Sequence, residues 1–210
     1  MNAVLLNALF RSDWNDVNVA LTELEPDHRF LKRRNCLEDH YNRIKEYVPD
    51  YLRDGKSVLD FSCGNGASME IFRLFGSTVF GTDLWMKNCV LKNPNYYKDT
   101  SKYSIFEPLL ISQKLNYLIH NGSDFPYPFS DNSYDLVINV GSIHMYKGYF
   151  PTWQKSLNEF KRISKKTIFF GMNITPEFEK EKEFIMNWSR NQKDLSLSIQ
   201  RRNYFRWDKK

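Results

Sequence analysis

Three absences narrow what this chain can be. The 210 residues include only three cysteines, Cys36, Cys63 and Cys89, and their spacing does not suggest pairs, so a disulfide framework is excluded. Free thiols are typical of a reducing compartment, and we therefore expect a cytoplasmic protein. No apolar run reaches the roughly 18 residues that a membrane-spanning helix needs. The apolar first ten residues lack the positive start and the small-residue cleavage site of a signal peptide.

Glycine is sparse, and two phosphate-binding signatures are missing. Of nine glycines, Gly64 and Gly66 stand close together after a short apolar run. No Lys-Ser or Lys-Thr pair follows them, which excludes a P-loop. Ser62 and Cys63 precede Gly64, so the first glycine of the usual dinucleotide fingerprint is also absent. No metal site is expected.

The composition that is present fits a folded domain. Apolar residues make up 41% of the chain and aromatic residues 16%, which argues against disorder. A chain of this length can bury roughly 70% of its unfolded surface, enough for a full core. The net charge of +5 permits an anionic substrate without requiring a nucleic acid. We expect an N-terminal helical or lid segment, residues 1–35, and a main domain, residues 36–210.

The rest of the chain is organised around residues 57–66, Ser-Val-Leu-Asp-Phe-Ser-Cys-Gly-Asn-Gly. The apolar run predicts a buried parallel strand, and a helical pattern follows the glycines. Gly64 and Gly66 allow the backbone to approach a ligand closely. Asp60, at the end of the strand, can place a carboxylate in the same crevice. Open α/β sheets bind their ligands there, at the carboxyl ends of the strands.

A second buried strand, residues 78–83, ends in an acid. Asp83 follows Gly66 by 17 residues. An acid about 20 residues after the glycines, at the tip of the second strand, is where a carboxylate binds the hydroxyls of a ribose. The crevice is therefore predicted to bind a nucleoside.

Periodicity and turn residues predict the remaining elements. The predicted strands cover residues 116–120, 136–140 and 167–171, with two more around 201–203, and the predicted helices cover 36–54, 67–75, 150–163 and 177–190. Asp135 is predicted in the turn before the fourth strand. Tyr41 is expected in the core and His40 as an exposed polar residue, with contact to a bound ligand as the alternative for both.

Three motifs in order resemble the class I S-adenosylmethionine-dependent methyltransferases, of the type 11/25 kind. These are Leu-Asp-Phe-Ser-Cys-Gly-Asn-Gly from residue 59, Gly-Thr-Asp ending at Asp83, and residues 122–138 through Pro-Phe-Ser-Asp-Asn-Ser-Tyr-Asp. The resemblance covers about residues 38–172, and Ser62 stands where glycine is common. It implies a Rossmann-like three-layer α/β sandwich. Its mostly parallel sheet would have seven strands in the order 3-2-1-4-5-7-6, with an antiparallel C-terminal strand.

The resemblance also implies S-adenosyl-L-methionine as the cofactor and a set of contacts to it. Asp83 would hold the ribose hydroxyls, and Asp60 with the glycine loop would hold the amino-acid end. Leu84 or Trp85 would pack on the adenine, with core packing equally expected for Trp85. Ser123 or Asp124 would accept a hydrogen bond from the adenine amino group, with Phe125 alongside, and the alternative for Asp124 is a turn residue. The predicted cofactor residues are Asp60, Phe61, Ser62, Cys63, Gly64, Gly66, Asp83, Leu84, Trp85, Ser123, Asp124, Phe125 and Asn139.

The segment after the fourth strand leaves the sheet where the methyl acceptor must lie. His144 and Tyr146 are the predicted catalytic residues there. His144 would take a proton from an alcohol acceptor, whereas an amine attacks in its neutral form without a base. The alternative for His144 is a residue that transfers no proton.

The remaining hypotheses differ mainly in the methyl acceptor. A small molecule, such as a sugar, nucleotide-linked or phosphorylated metabolite, fits a short chain without an RNA-binding appendage. RNA or protein is the alternative, favoured by the positive charge, the basic residues 29–34 and the basic tail. A third possibility is a nucleoside-binding domain that is not an enzyme or uses another cofactor. The oligomeric state is left open.

Overall fold

The computed structural model of the protein describes residues 33–64, 66–83, 110–111, 113–141, 150–172, 174, 176–201 and 203–210. Helices and strands alternate along this part of the chain. The helices are α1 (Arg33–Tyr47), α2 (Ala67–Leu74), α3 (Phe150–Ile163) and α4 (Phe178–Arg190), with a short 3₁₀ helix at Pro49–Tyr51. The strands are β1 (Ser57–Phe61), β2 (Thr78–Asp83), β3 (Asn116–Ile119), β4 (Tyr134–Val140), β5 (Ser164–Gly171), β6 (Leu195–Gln200) and β7 (Tyr204–Lys209).

The strands form one sheet in the order β3-β2-β1-β4-β5-β7-β6, which counts seven strands within the described residues. β1 pairs in parallel with β2 and β4, while β7 runs antiparallel between β5 and β6. The predicted three-layer fold and strand order are confirmed. We call the ends of the parallel strands at Phe61, Asp83 and Val140 the carboxyl edge, and the opposite ends the amino edge.

The alternating side chains of β1 divide the core between the two faces of the sheet. Val58 packs in the layer formed with α1 and α2, whereas Leu59 and Phe61 pack in the layer that contains α3 and α4. Successive residues of a strand point to opposite faces, and both faces here are covered. This explains why β1 is a continuous apolar run broken only by Asp60.

Two strands begin earlier than predicted. β4 begins at Tyr134, so Asp135 lies inside the strand and not in the preceding turn. Its Oδ2 accepts hydrogen bonds from the backbone N–H and the hydroxyl of Ser57, at 3.0 and 2.9 Å. β5 begins at Ser164, directly after α3, and its register with β4 shifts before Leu136. The pairing of Asp135 with Ser57 is a tertiary contact, which periodicity does not reveal.

The predicted helix over residues 36–54 is shorter than expected. α1 ends at Tyr47, and Pro49 begins the 3₁₀ helix, because a proline disfavours helical backbone in the residue before it. Tyr41 is in the core, as predicted. The prediction of an exposed His40 is wrong: the side chain is half-buried and hydrogen-bonded to Ser68.

The β6–β7 hairpin holds α1 against the sheet. Arg201 makes a two-point ion pair with Glu46, at 3.0 and 2.9 Å. Arg206 donates to the Tyr47 carbonyl oxygen at 3.1 Å and to Asp50 at 2.8 Å. We call these contacts the hairpin clamp.

Candidate functional site

Two carboxylates meet at the carboxyl edge of the sheet. Asp60 lies one residue before the end of β1, and Asp83 is the last residue of the neighbouring β2. Asp60 is buried, with 5% of its surface exposed. Burial and the nearby charge of Asp83 raise the pKa of Asp60 to about 8. Within the described residues no cation neutralises this carboxyl group, so the crevice attracts positive charge.

The glycine loop folds back onto the end of β2. The backbone N–H of Gly64 donates to Asp83 Oδ2 at 2.7 Å, and the Cys63 N–H donates to the Thr82 carbonyl oxygen at 2.8 Å. Gly64 and Gly66 have φ angles of +53° and +75°, the left-handed region that glycine adopts without strain. The loop and the predicted ribose-binding acid are therefore joined into one unit.

Ser62 adopts the backbone that the loop requires although it is not glycine. Its φ is +66°, a left-handed conformation that costs a residue with a Cβ about 1–2 kcal/mol. Ser62 thus has a backbone conformation that suits glycine, at a position where the resembled motif commonly has glycine. Strain of this kind is found at sites where the surrounding structure enforces a backbone for function.

Gly81 permits close packing beneath the loop. A Cβ added there would lie 2.4 Å from Met69 Sδ and 2.8 Å from Cys63 Sγ. The Cys63 thiol is free, as predicted, and burial raises its pKa well above the ordinary value. Cys63 is therefore a neutral thiol that fills the space between β2 and α2 and is not a nucleophile.

The loop after β3 is stabilised by its own polar groups. The side chain of Asn121 accepts from the Ser123 N–H at 3.0 Å, and the Asp124 N–H donates to the Asn121 carbonyl oxygen at 2.9 Å. The backbone of His120 donates to the Asp83 carbonyl oxygen at 2.9 Å. Asp124 thus takes part in a turn, and the bond from His120 to Asp83 keeps the loop that carries Ser123 and Asp124 next to the end of β2.

Tyr127 joins this loop to β1, and the motif analysis missed it. Its ring stacks on Phe61, with centroids 4.3 Å apart, and on Phe125, at 5.0 Å. Its hydroxyl donates to the Gly122 carbonyl oxygen at 2.8 Å and lies 2.8 Å from Ser156 Oγ. A buried tyrosine between two prolines gave no periodic signal, and its partners Phe61 and Ser156 are distant in sequence.

Asn139 supports the carboxyl edge from β4. Its Nδ2 donates to the Phe61 carbonyl oxygen at 3.0 Å, and 1% of its surface is exposed. The contact fixes the end of β1 just before the glycine loop. Its predicted cofactor contact stays a prediction, as do those of the other site residues.

The structure brings most of the predicted cofactor residues together at this edge. Four predicted residues lie outside the described part of the chain: Leu84, Trp85, His144 and Tyr146. In the part that is described, no three His, Cys, Asp or Glu side chains are grouped so as to hold a metal ion. None of the helices described there is both long and apolar enough to span a bilayer.

A comparison with known protein families covers the segment that contains this site. A family model described as a methyltransferase domain matches residues 59–170, just over half of the chain. No curated protein sequence matches. The matched segment contains the glycine loop, Asp83 and the loop after β3.

Solved structures show the same fold at low identity. A protein from Pyrococcus horikoshii has a TM-score of 0.55 at 14% identity, covering 89% of this chain and 94% of its own. A candidate S-adenosyl-L-methionine-dependent methyltransferase from Methanococcus maripaludis has a TM-score of 0.54 at 13% identity, with coverages of 83% and 86%. A candidate RNA methyltransferase from P. horikoshii has a TM-score of 0.51 at 17% identity, with coverages of 84% and 85%. Because the family match spans the whole predicted site and the sheet has the expected strand order, the chain belongs to the class I S-adenosylmethionine-dependent methyltransferases.

Proposed function

We propose that this methyltransferase transfers a methyl group from S-adenosylmethionine to an oxygen or nitrogen atom of a small molecule. A sugar, a nucleotide-linked metabolite or a phosphorylated metabolite is the acceptor class we favour. The observation that carries the proposal is the 2.7 Å hydrogen bond between Gly64 N–H and Asp83, which joins the glycine loop to the ribose-binding acid.

The chemistry of the carboxyl edge fits the charges of this cofactor. The cofactor carries an ammonium group and a sulfonium, and Asp60 is a buried acid without a cation among the described residues. Asp83, at the tip of β2, is suited to accept hydrogen bonds from two ribose hydroxyls. In our proposal Asp60 and the glycine loop bind the amino-acid end, and Ser123, Asp124 and Phe125 bind the adenine.

S-adenosylmethionine supplies an already activated methyl group when it is bound. The protein's task is then to position the acceptor in line, with the reacting atoms about 3–3.5 Å apart, and to exclude water. We assign His144 and Tyr146 to the acceptor side of the crevice. For an alcohol acceptor His144 takes the proton, and for an amine no base is needed.

The ion pairs of the C-terminal hairpin support a small acceptor over RNA. The basic residues there were one reason to consider a nucleic acid. Arg201 pairs with Glu46, and Arg206 pairs with Asp50 and Asp208. These cations are therefore matched within the protein. RNA or protein methylation is the second candidate, since the basic residues 29–34 and the net charge of +5 favour it.

The cofactor site is tested by Asp83→Ala in calorimetric titrations with S-adenosylmethionine. A hydrogen bond to a charged group contributes about 1.5–3 kcal/mol, so we expect roughly 10- to 150-fold weaker binding. Asp39→Ala, an exposed acid on α1, is the matched control and should bind normally. Unchanged affinity in Asp83→Ala would refute the ribose role.

The acceptor is tested by screening metabolites and RNA for release of S-adenosylhomocysteine. We expect turnover with a small molecule. Turnover with RNA, together with binding that weakens steeply between 50 and 200 mM salt, would replace our proposal by the second candidate.

A further inference from the structure

A histidine of α1 contacts the beginning of α2, next to the glycine loop. His40 Nδ1 lies 2.6 Å from Ser68 Oγ. Ser68 follows Gly66 by two residues and is buried, with 5% of its surface exposed. The imidazole is therefore held close to the loop that binds the amino-acid end of the cofactor in our proposal.

The His40 ring keeps one nitrogen available. Its bond to Ser68 uses Nδ1, and it makes no other hydrogen bond to the described residues. The side chain is half-buried. Nε2 is therefore the ring nitrogen that the described residues leave for a ligand.

His40 is a neutral imidazole near pH 7. Burial, with a smaller effect from the charge of Arg43, lowers its pKa to about 3. A neutral imidazole carries one N–H, and a hydroxyl that donates to Nδ1 leaves that hydrogen on Nε2. With Ser68 as the donor, His40 presents an N–H group without bringing a positive charge into the crevice.

The distribution of charge at the site shows which cofactor group this N–H suits. Asp60 and Asp83 lie at the strand ends, where they attract the ammonium and repel a carboxylate. The cofactor's carboxylate must therefore bind on the helix side of the loop. There α2 begins at Ala67 without a side-chain cap on Gly66, and a helix N-terminus favours negative charge.

We propose that His40, held by Ser68, donates its Nε2–H to the carboxylate of the cofactor's amino-acid end. The proposal rests on the cofactor site described above. It assigns α1 a direct part in binding the cofactor, outside the segment that matches the family model.

The experiment compares two ligands that differ in the amino-acid end. S-adenosylhomocysteine carries the carboxylate, whereas methylthioadenosine keeps the nucleoside and the sulfur but lacks the amino acid. Both are titrated calorimetrically into the full chain and its variants His40→Ala, His40→Gln and Asn42→Ala, the last an exposed control on the same helix. Because a hydrogen bond to a charged group is lost, His40→Ala should bind S-adenosylhomocysteine about 10- to 100-fold more weakly. Methylthioadenosine should change by less than about twofold, and His40→Gln should recover part of the loss, because its amide can donate.

The outcomes distinguish a direct contact between His40 and the cofactor from a purely structural role. Equal weakening of both ligands would show that His40 only supports the fold, and an unchanged affinity for S-adenosylhomocysteine would also overturn the inference. If the unmodified protein binds neither ligand, the proposed function itself fails. Should His40→Ala not fold, Ser68→Ala keeps the ring but removes the hydroxyl that sets its tautomer. It should then weaken S-adenosylhomocysteine several-fold and leave methylthioadenosine unchanged.

Discussion

Asp60 and Asp135 stand near opposite ends of neighbouring strands, and the pKa values of their carboxyl groups shift in opposite directions. At the carboxyl edge, burial and the charge of Asp83 raise the pKa of Asp60 to about 8. At the amino edge, burial would raise the pKa of Asp135, but hydrogen bonds from Ser57 and the charges of Lys165 and Lys166 together outweigh burial, so the pKa is lowered. The protein thus stabilises the ionised form of Asp135 and disfavours the ionised form of Asp60.

The two edges of the sheet also differ in how other charged side chains are paired. Arg162, at the amino-edge end of α3, donates to both oxygens of Glu159 at 2.9 and 2.7 Å and to Asp131 at 2.7 Å. Its hydrogen bonds hold the pKa of Glu159 below the usual range. These charges at the amino edge are therefore neutralised by the protein, whereas in our proposal the carboxyl edge is completed by the cofactor.

Replacing Asp60 by Asn tests this contrast most strongly. The variant loses the negative charge that faces the cofactor's ammonium, and we expect roughly 30- to 100-fold weaker binding of S-adenosylmethionine at pH 8. Calorimetry measures this affinity, with Asp39→Asn as an exposed control.

Between pH 6 and 8 the affinity of the unmodified protein for S-adenosylmethionine should rise with pH, by up to about tenfold per unit, because binding needs the ionised Asp60. A flat profile in the unmodified protein would contradict this assignment.

The same variant should be more stable than the unmodified protein when no cofactor is bound. A raised folded-state pKa means that stability falls as the pH rises from about 4, where the unfolded Asp ionises, to about 8, where the folded Asp60 ionises. Asp60→Asn removes this loss. Thermal melting across that pH range should show an increasing advantage for the variant, and a constant difference would argue against the raised pKa.

Arg162→Met tests the amino edge, with an intermediate effect. It leaves Glu159, which is largely buried, without its cation, and it removes donors to Asp131 and to the Phe129 carbonyl oxygen. We expect the free energy of unfolding to fall by about 2–3 kcal/mol in urea denaturation. A second substitution, Glu159→Gln, should restore part of it. Cofactor affinity should change by less than about fivefold, and a larger loss would show that the two edges are coupled.

Ser62→Gly has the smallest expected effect. It removes the Cβ from a left-handed residue, and we expect a gain of up to about 1 kcal/mol, measured by thermal melting. Ser62→Ala keeps the strain but removes the hydroxyl, so it separates the two causes. Destabilisation in Ser62→Gly together with Ser62→Ala would mean that the hydroxyl, and not the backbone, decides the residue at this position.

Predictions of strand bounds from the sequence were most accurate where local sequence signals and tertiary structure coincide. β2 has the predicted bounds and β1 contains the predicted apolar run, because each is a buried run that ends at an acid or a glycine loop. The starts of β4 and β5 were missed, since Asp135 is held by Ser57 and Ser164 is polar and directly follows a helix. Residues whose role depends on one distant partner leave no pattern in a short window.

The same limit applies to the site. The glycine loop and Asp83 were predicted from spacing, because the chemistry of a nucleoside requires residues at those places, and the structure joins the two by a hydrogen bond. Tyr127 and the His40–Ser68 contact were not, since both depend on neighbours from elsewhere in the chain. Asn139 was predicted as a site residue, and that role stays a prediction, whereas its bond to the Phe61 carbonyl oxygen could not be foreseen.

The hairpin clamp has a consequence for how the chain reaches its native state. It fastens Glu46 and Asp50 to residues more than 150 positions later, Arg201 and Arg206. During synthesis, the helix that carries His40 therefore lacks these contacts until β6 and β7 have left the ribosome. Contacts of such large sequence separation slow folding, because a long loop must close before they form. If α1 binds the cofactor as we propose, cofactor-binding competence should be acquired only after Arg206 has been synthesised.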